Sequence, residues 1–174
     1  NKNVKLYELA TIYLPKALPV TELPNERVQF TLGMYGEGDF FTMKGVVEEI
    51  LTKLGITGKV NYEPKAGKNY LHPGRQANIL YNGTVLGYLG EVHPEVCDNY
   101  QIGEKTYVAV LDMPVVMELA NFEIKYQGIA KFPAVTRDIS MVMPKEILVG
   151  AVEEVIAKKG GKLLEEYRLF DIYE

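Results

Sequence analysis

The sequence has no tryptophan, one cysteine (Cys97) and two histidines (His72 and His93) in 174 residues. A single thiol excludes an internal disulfide and a cysteine-rich zinc site. It fits a reducing compartment and the role of a small apolar side chain. The histidines stand 21 positions apart with no compact carboxylate cluster beside them. Zinc asks for three or four ligands at close spacing, so no metal site is expected. Nor does a nucleophile elbow accompany Cys97 and His93, and the glycines form neither a dinucleotide fingerprint nor a phosphate loop.

Long apolar runs are also missing: none approaches the roughly 20 residues that cross a bilayer, so no membrane partner is expected. The opening "NKNVKLYELATIYLPK" lacks a signal-peptide layout, since Glu8 interrupts its apolar stretch and no cleavage motif follows. It also lacks an initiator methionine and starts inside a strand-like pattern. The expectation is an excised piece of a cytoplasmic protein. An excess of positive charge is absent too, with 19 basic against 23 acidic side chains. Residues 1–130 carry 12 and 15 of these, and residues 131–174 carry 7 and 8. Neither part is a basic module, so any RNA contact rests on a few placed residues.

What is present suits an α+β protein. Apolar residues make up 47%, enough for one fair-sized domain or one domain and part of another. Val4–Tyr13 and residues 27–35 read as strands, separated by the proline-rich "LPKALPVTELPNE". A helix fits Thr42–Leu54, because Val46, Val47, Ile50, Leu51 and Leu54 share a face; Thr42 is the expected N-cap and Gly55 the terminator. A short strand is expected near Lys59–Glu63. Asn82-Gly83 between two β-rich runs predicts a type I′ hairpin. A helical piece around Pro94–Tyr100, a buried strand over 106–113 and a brief helix opened by Pro114 complete this part.

"KFPAVTRD" (131–138) marks a boundary. Beyond it, "DISMVM" and "KLLEEYRLFDIYE" read as strands around a helix, "KEILVGAVEEVIAKKGG". Leu148, Val149, Val152, Val155 and Ile156 share one face of that helix, and Gly160-Gly161 end it. Two strands and one helix rarely stand alone. Their unpaired edges invite self-association through residues 137–173, unless the region is mobile.

Both histidines precede prolines. His72-Pro73-Gly74-Arg75 and His93-Pro94 read as ordered loop ends of the central hairpin, with side chains for buried backbone groups or a subunit contact. Arg75 is equally suited to clamp a phosphate or carboxylate.

Taken in order, "NYLHPGRQANIL", "GYLGEVHPEV" and "FPAVTRDISMVM", preceded by "KLYELATIYLP" and "FFTMKGVVEEIL", resemble the β subunit of bacterial phenylalanyl-tRNA synthetase over essentially the whole chain. The resemblance implies a C-terminal fragment of that subunit. Residues 1–130 would be part of its class II synthetase-like, non-catalytic core. Residues 131–174 would begin its ferredoxin-like anticodon-binding domain, truncated to βαβ. It implies an intact (αβ)2 heterotetramer in which the α subunit joins phenylalanine to tRNA-Phe with ATP and Mg²⁺, and no cofactor in this fragment. Active class II sites hold phosphate with an arginine on the first strand of motif 2 and another at motif 3. The counterparts here, "KLYELATIY" and "YVAVLDMPVVMEL", contain none, which agrees with an inactive copy. Arg137, Lys158, Lys159, Lys162, Tyr167 and Arg168 are the candidate RNA contacts, offering cations and an aromatic face, although the three lysines also suit a helix C-terminus. Two rivals are an independent RRM-like RNA-binding module and a nucleotide-binding enzyme of class II fold.

Overall fold

Apolar alternation with period two runs through "TYVAVLD" and "TVLGYLGEV", and these two segments are the centre of one antiparallel sheet. The computed structural model describes residues 3–123, 126, 128 and 131–173. The chain divides into a first unit, residues 1–124, and a second, residues 125–174. In the first unit the strands are β1 (Val4–Leu14), β2 (Asn25–Tyr35), β3 (Val60–Pro64), β4 (Leu71–Tyr81), β5 (Thr84–Val92) and β6 (Thr106–Asp112). The helices are α1 (Phe40–Lys53), α2 (Pro94–Asn99) and α3 (Met113–Leu119). The strand order is β1-β2-β6-β5-β4-β3, with every neighbour antiparallel.

Register decides which side chains meet. Phe30, Leu32 and Met34 stand opposite Leu111, Ala109 and Tyr107, and Leu89 lies across from Ala109 on the other side. α1 lays Met43, Val47 and Leu51 on this face, and α3 adds Val116. Each such burial is worth about 1.5–3 kcal/mol, so this layer holds the unit together. The opposite face carries Arg27, Gln29, Thr31, Tyr88 and Asp112.

The helix α1 starts earlier than its apolar spacing suggests. Asp39, not Thr42, is the N-cap: its carboxylate accepts from the Thr42 N–H at 2.8 Å, and the Thr42 hydroxyl accepts from the Asp39 N–H at 3.2 Å. This capping box satisfies two donors at once, with Thr42 in the third helical position. Gly55 follows the helix with φ +75°, and a Cβ there would lie 1.6 Å from the Asn121 carbonyl oxygen. The Asn121 N–H donates to the Leu54 carbonyl at 3.0 Å, tying the end of α1 to the segment after α3. Asn82 and Gly83 turn the β4–β5 hairpin with φ of 49° and 79°, joining the Tyr81–Thr84 pair.

Two further expectations are corrected. His72 to Arg75 are not a loop: they belong to β4, where the ladder with β5 slips between the Leu71–Val92 and Gln76–Gly90 pairs. Such a bulge accommodates Pro73, and β3 pairs only with Ala77–Tyr81, so no strand there needs the missing N–H.

The second correction concerns the βαβ unit. The second unit has the expected helix, α4 (Val149–Gly160), followed by a 3₁₀ turn over Gly161–Leu163. Residues 138–143 and 164–173 form no strand. Glu174, the last residue of the expected second strand, lies outside the described residues. A helix closes its own hydrogen bonds, whereas a strand needs a neighbour and a surface to cover. No described residue of 131–173 is buried, so nothing rewards pairing there. The expected self-association along strand edges in 137–173 therefore has no strand to run on. The sheet's edges are β1 and β3.

Candidate functional site

The slipped start of β4 meets the end of β5 in a polar cluster. Arg75 Nη1 donates to both carboxylate oxygens of Glu91, at 2.7 and 2.9 Å. The guanidinium is half exposed, while the Glu91 side chain keeps 6% of its surface. Period two turns Glu91 to the helix-covered face along with Leu89, opposite Tyr107. A carboxylate so placed needs a cationic donor, and Arg75 supplies it. Burial, and then the negative charge of Glu91, raise the Tyr107 hydroxyl above its ordinary value.

Around this pair the side chains serve the backbone. His72 Nδ1 accepts from the Gly74 N–H at 3.1 Å. His93 is the N-cap of α2, its Nδ1 accepting from the Glu95 N–H at 3.3 Å, and Pro94 occupies the first turn. The His93 N–H donates to the Tyr70 carbonyl at 2.9 Å. Gln76 anchors the approach to β4, accepting from the Lys68 N–H at 2.9 Å and donating to the carbonyls of Lys68 and His72 at 3.3 Å. The six expected loop residues thus gather at one end of the sheet. Each imidazole engages the peptide N–H two residues ahead, not the other imidazole.

The opposite face holds a second ion pair. Arg27 reaches across from β2 to the end of β6 as a two-pronged fork, Nε to Asp112 Oδ1 at 2.8 Å and Nη2 to Oδ2 at 2.6 Å. Hydrogen bonding and attraction to Asp112 raise the guanidinium pKa further. The pair lines a cleft of about 200 Å³ with Ile12, Gln29, Tyr88 and Val110. Nearby, the Tyr70 hydroxyl donates to that of Tyr88 at 2.6 Å, and the Lys68 ammonium lies 4.5 Å from the Tyr88 ring centre. Burial, and then the hydrogen bond with Tyr70, raise the Tyr88 hydroxyl above its ordinary value. Residues 1–124 contain two arginines, and a carboxylate of the same unit holds each.

The expected RNA contacts are less organised. Lys158 and Lys159 lie in the last turn of α4 and Lys162 in the following 3₁₀ turn. Arg137 donates to its neighbour's carbonyl, that of Thr136, at 2.8 Å. Tyr167 and Arg168 follow in a stretch without secondary structure. Chain proximity gathers the lysines; no described contact joins Arg137 or Arg168 to them.

Sequence reasoning missed Glu91, Arg27–Asp112 and the Tyr70–Tyr88–Lys68 group. Glu91 was detectable, because alternation from Leu89 turns it inward. The Arg27–Asp112 pair spans 85 positions and leaves no local signal. Among the described residues, no three metal-ligating side chains cluster, and no helix is long and apolar enough to cross a membrane.

Comparison with known proteins matches residues 1–113 to the family described as phenylalanyl tRNA synthetase beta chain CLM domain. Residues 130–174 match the ferredoxin-fold anticodon binding domain. The chain is similar to the phenylalanine–tRNA ligase beta subunit of Clostridium acetobutylicum, at 44% identity over all of this chain and 22% of that protein. The Bacillus subtilis subunit is 38% identical over 99% of this chain and 22% of its own length. The chain therefore spans about a fifth of the length of these relatives. Among solved structures, the pyrrolysyl tRNA synthetase PylSc of Desulfitobacterium hafniense superposes with a TM-score of 0.55 at 11% identity. It covers 68% of this chain and 42% of its own, a likeness of fold alone.

Proposed function

The chain belongs to the phenylalanyl-tRNA synthetase beta chain family, and from that premise we propose that it is a non-catalytic, structural and tRNA-presenting part of a cytoplasmic phenylalanine–tRNA ligase. In this reading residues 1–130 are a class II synthetase-like domain, and residues 131–174 are the start of a ferredoxin-like anticodon-binding domain. The α subunit of an (αβ)2 enzyme carries the chemistry, using ATP and Mg²⁺, and tRNA-Phe is the RNA partner. His72, Pro73, Gly74, Arg75, His93 and Pro94 keep the sheet end in shape for subunit packing. Arg137, Lys158, Lys159, Lys162, Tyr167 and Arg168 are the RNA-facing set.

The observation that supports a non-catalytic role is the engagement of both arginines of the sheet. Phosphoryl chemistry needs cations aimed at developing charge. Arg27 and Arg75 instead face Asp112 and Glu91. Freeing either would leave a carboxylate without its partner, which opposes binding an anion in its place.

Calorimetric titration with ATP and with a non-hydrolysable phenylalanyl-adenylate analogue tests this. No binding up to about 1 mM supports the architectural reading, and binding near 1 µM, roughly 4 kcal/mol stronger, overturns it. A gel shift with tRNA distinguishes it from a free-standing RNA-binding module, which would retard tRNA on its own.

A further inference from the structure

Asn82 is followed by glycine, unlike the other eight asparagines of the chain. The pair turns the β4–β5 hairpin, and residues 82–85 are all exposed. Beyond the ladder irregularity at Ile79/Leu80, two pairs close the tip: Leu80–Val85 and Tyr81–Thr84. β3 backs the β4 arm through Val60–Tyr81 and Asn61–Leu80. The other arm lacks such backing, because the β5–β6 ladder runs from Gly87 to Glu91. Thr84 and Val85 are therefore held from one side, and a short local opening releases them.

We propose that Asn82 is a self-modification site, a one-way chemical switch gated by opening of this tip. Glycine offers the least hindered backbone nitrogen. That nitrogen gives up its proton and attacks Asn82 Cγ; the side-chain nitrogen leaves as ammonia, and a five-membered imide forms. Water then opens the ring. Addition at Cγ yields an ordinary aspartyl linkage. Addition at the Asn82 main-chain carbonyl carbon leaves Gly83 joined through Cβ and Cγ, an isoaspartyl linkage one carbon longer. Either product adds a negative charge to a chain already at −4. The closed turn resists the first step. With φ of 49° at Asn82 and 79° at Gly83 the turn is type I′. That geometry holds ψ of the first residue at about +30°, which sets the next nitrogen nearly trans to Cβ across the Cα–C bond. Ring closure needs the two on the same side, so the tip must open first. The longer linkage no longer fits a two-residue turn and cannot close again. Tyr81 and Thr84 then lose their pairing, and through Tyr81 the loss reaches Val60 of β3.

Peptide mapping of the whole chain aged at mildly alkaline pH, beside the free peptide "ILYNGTVL" (79–86), tests this. Amide loss is expected at position 82 ahead of every other asparagine, with a product one dalton heavier that includes the isoaspartyl form. It is expected to run at least about tenfold slower in the folded chain than in the peptide, the mark of gating by opening. Val85→Gly weakens the unbacked arm and is expected to bring the rate towards that of the peptide while the sheet still melts cooperatively. The isoaspartyl form is expected to melt a few degrees lower than the parent chain. Asn82→Asp, which adds the charge without the longer linkage, is expected to melt as the parent does. Position 82 intact after the peptide has fully reacted overturns the proposal. So does a folded-chain rate equal to the peptide's, a rate unmoved by Val85→Gly, or an isoaspartyl form that melts like Asn82→Asp.

Discussion

Val47 and Leu51 recur along α1 much as Val152 and Val155 do along α4. Val47 and Leu51 have no exposed surface, whereas Val155 keeps 59% of its own. Both stretches have helical apolar spacing, and both form helices. The difference lies in what the helix meets. α1 lies on a sheet whose strands come from residues 4 to 112, so distant segments supply its partner surface. In the second unit the described residues either side of α4 form no strand. Helix formation is a local event, whereas burial is a long-range one. Local patterning alone therefore cannot separate a folded unit from a partly folded one.

Truncation in the core is the strongest way to break this contrast. Leu111→Ala removes a fully buried side chain at the sheet centre and is expected to cost about 2–5 kcal/mol in urea unfolding. Val155→Ala, in α4, is expected to change stability by no more than about 0.5 kcal/mol. Equal costs would mean that the second unit has a buried core of its own, and the contrast would collapse.

A smaller effect probes polar burial. Arg75→Ala strands the Glu91 carboxylate, which is expected to cost about 1–3 kcal/mol. The double change Arg75→Ala with Glu91→Leu is expected to recover part of that loss, since the orphaned charge goes with its partner. Arg137→Ala, where the guanidinium donates to the adjacent Thr136 carbonyl, is expected to leave unfolding unchanged. Should Arg75→Ala be equally silent, the ion pair is ornamental and the site is held by packing alone.

Much of this was legible beforehand, for reasons that vary by residue. Asn82-Gly83 demanded positive φ angles, so the hairpin was readable from two letters. The helices α1, α2 and α3 were readable from spacing, proline and glycine. Asp39 was overlooked as a cap because apolar periodicity starts only at Val46, whereas a cap is set by hydrogen bonding before that stripe. The strand character of His72 to Arg75 was hidden because proline and glycine signal turns, and only the neighbouring ladder shows that they form a bulge. The strands expected over 138–143 and 162–174 had the right composition, but the described residues there find no partner strand, a fact that composition cannot carry. Glu91 was readable by alternation; its partner Arg75 was identified without its role. Arg27 and Asp112 meet only once the whole sheet has closed.

Backbone chirality offers a finer comparison. Gly83 (φ +79°) and Gly161 (φ +58°) both have positive φ with open space where a Cβ would go. Alanine at either is strained by about 1 kcal/mol. Gly83→Ala is expected to lower the cooperative melting transition of the sheet, because the hairpin belongs to it. Gly161→Ala is expected to alter only the helical far-ultraviolet signal of α4. A shared drop in the main transition would mean that the two units melt together.

The smallest expected effect lies in the caps. Asp39 accepts from the Thr42 N–H and then from its hydroxyl, and these bonds hold its carboxyl below the usual value. The depressed pKa fixes the sign. The contribution is complete above the unfolded carboxylate's value, about 3.9, and disappears as pH falls through the lower folded value. Asp39→Ala is therefore expected to lower Tm by a few degrees at pH 7. The gap to the parent chain should close progressively in strong acid. By contrast, the N-cap of α4 is Leu148, whose apolar side chain makes no cap hydrogen bond. Leu148→Asp supplies one, and is expected to raise helicity at neutral pH without moving the main transition. If the added cap instead stabilises the cooperative transition, α4 is coupled to a folded core, and the second unit is more than an isolated helix.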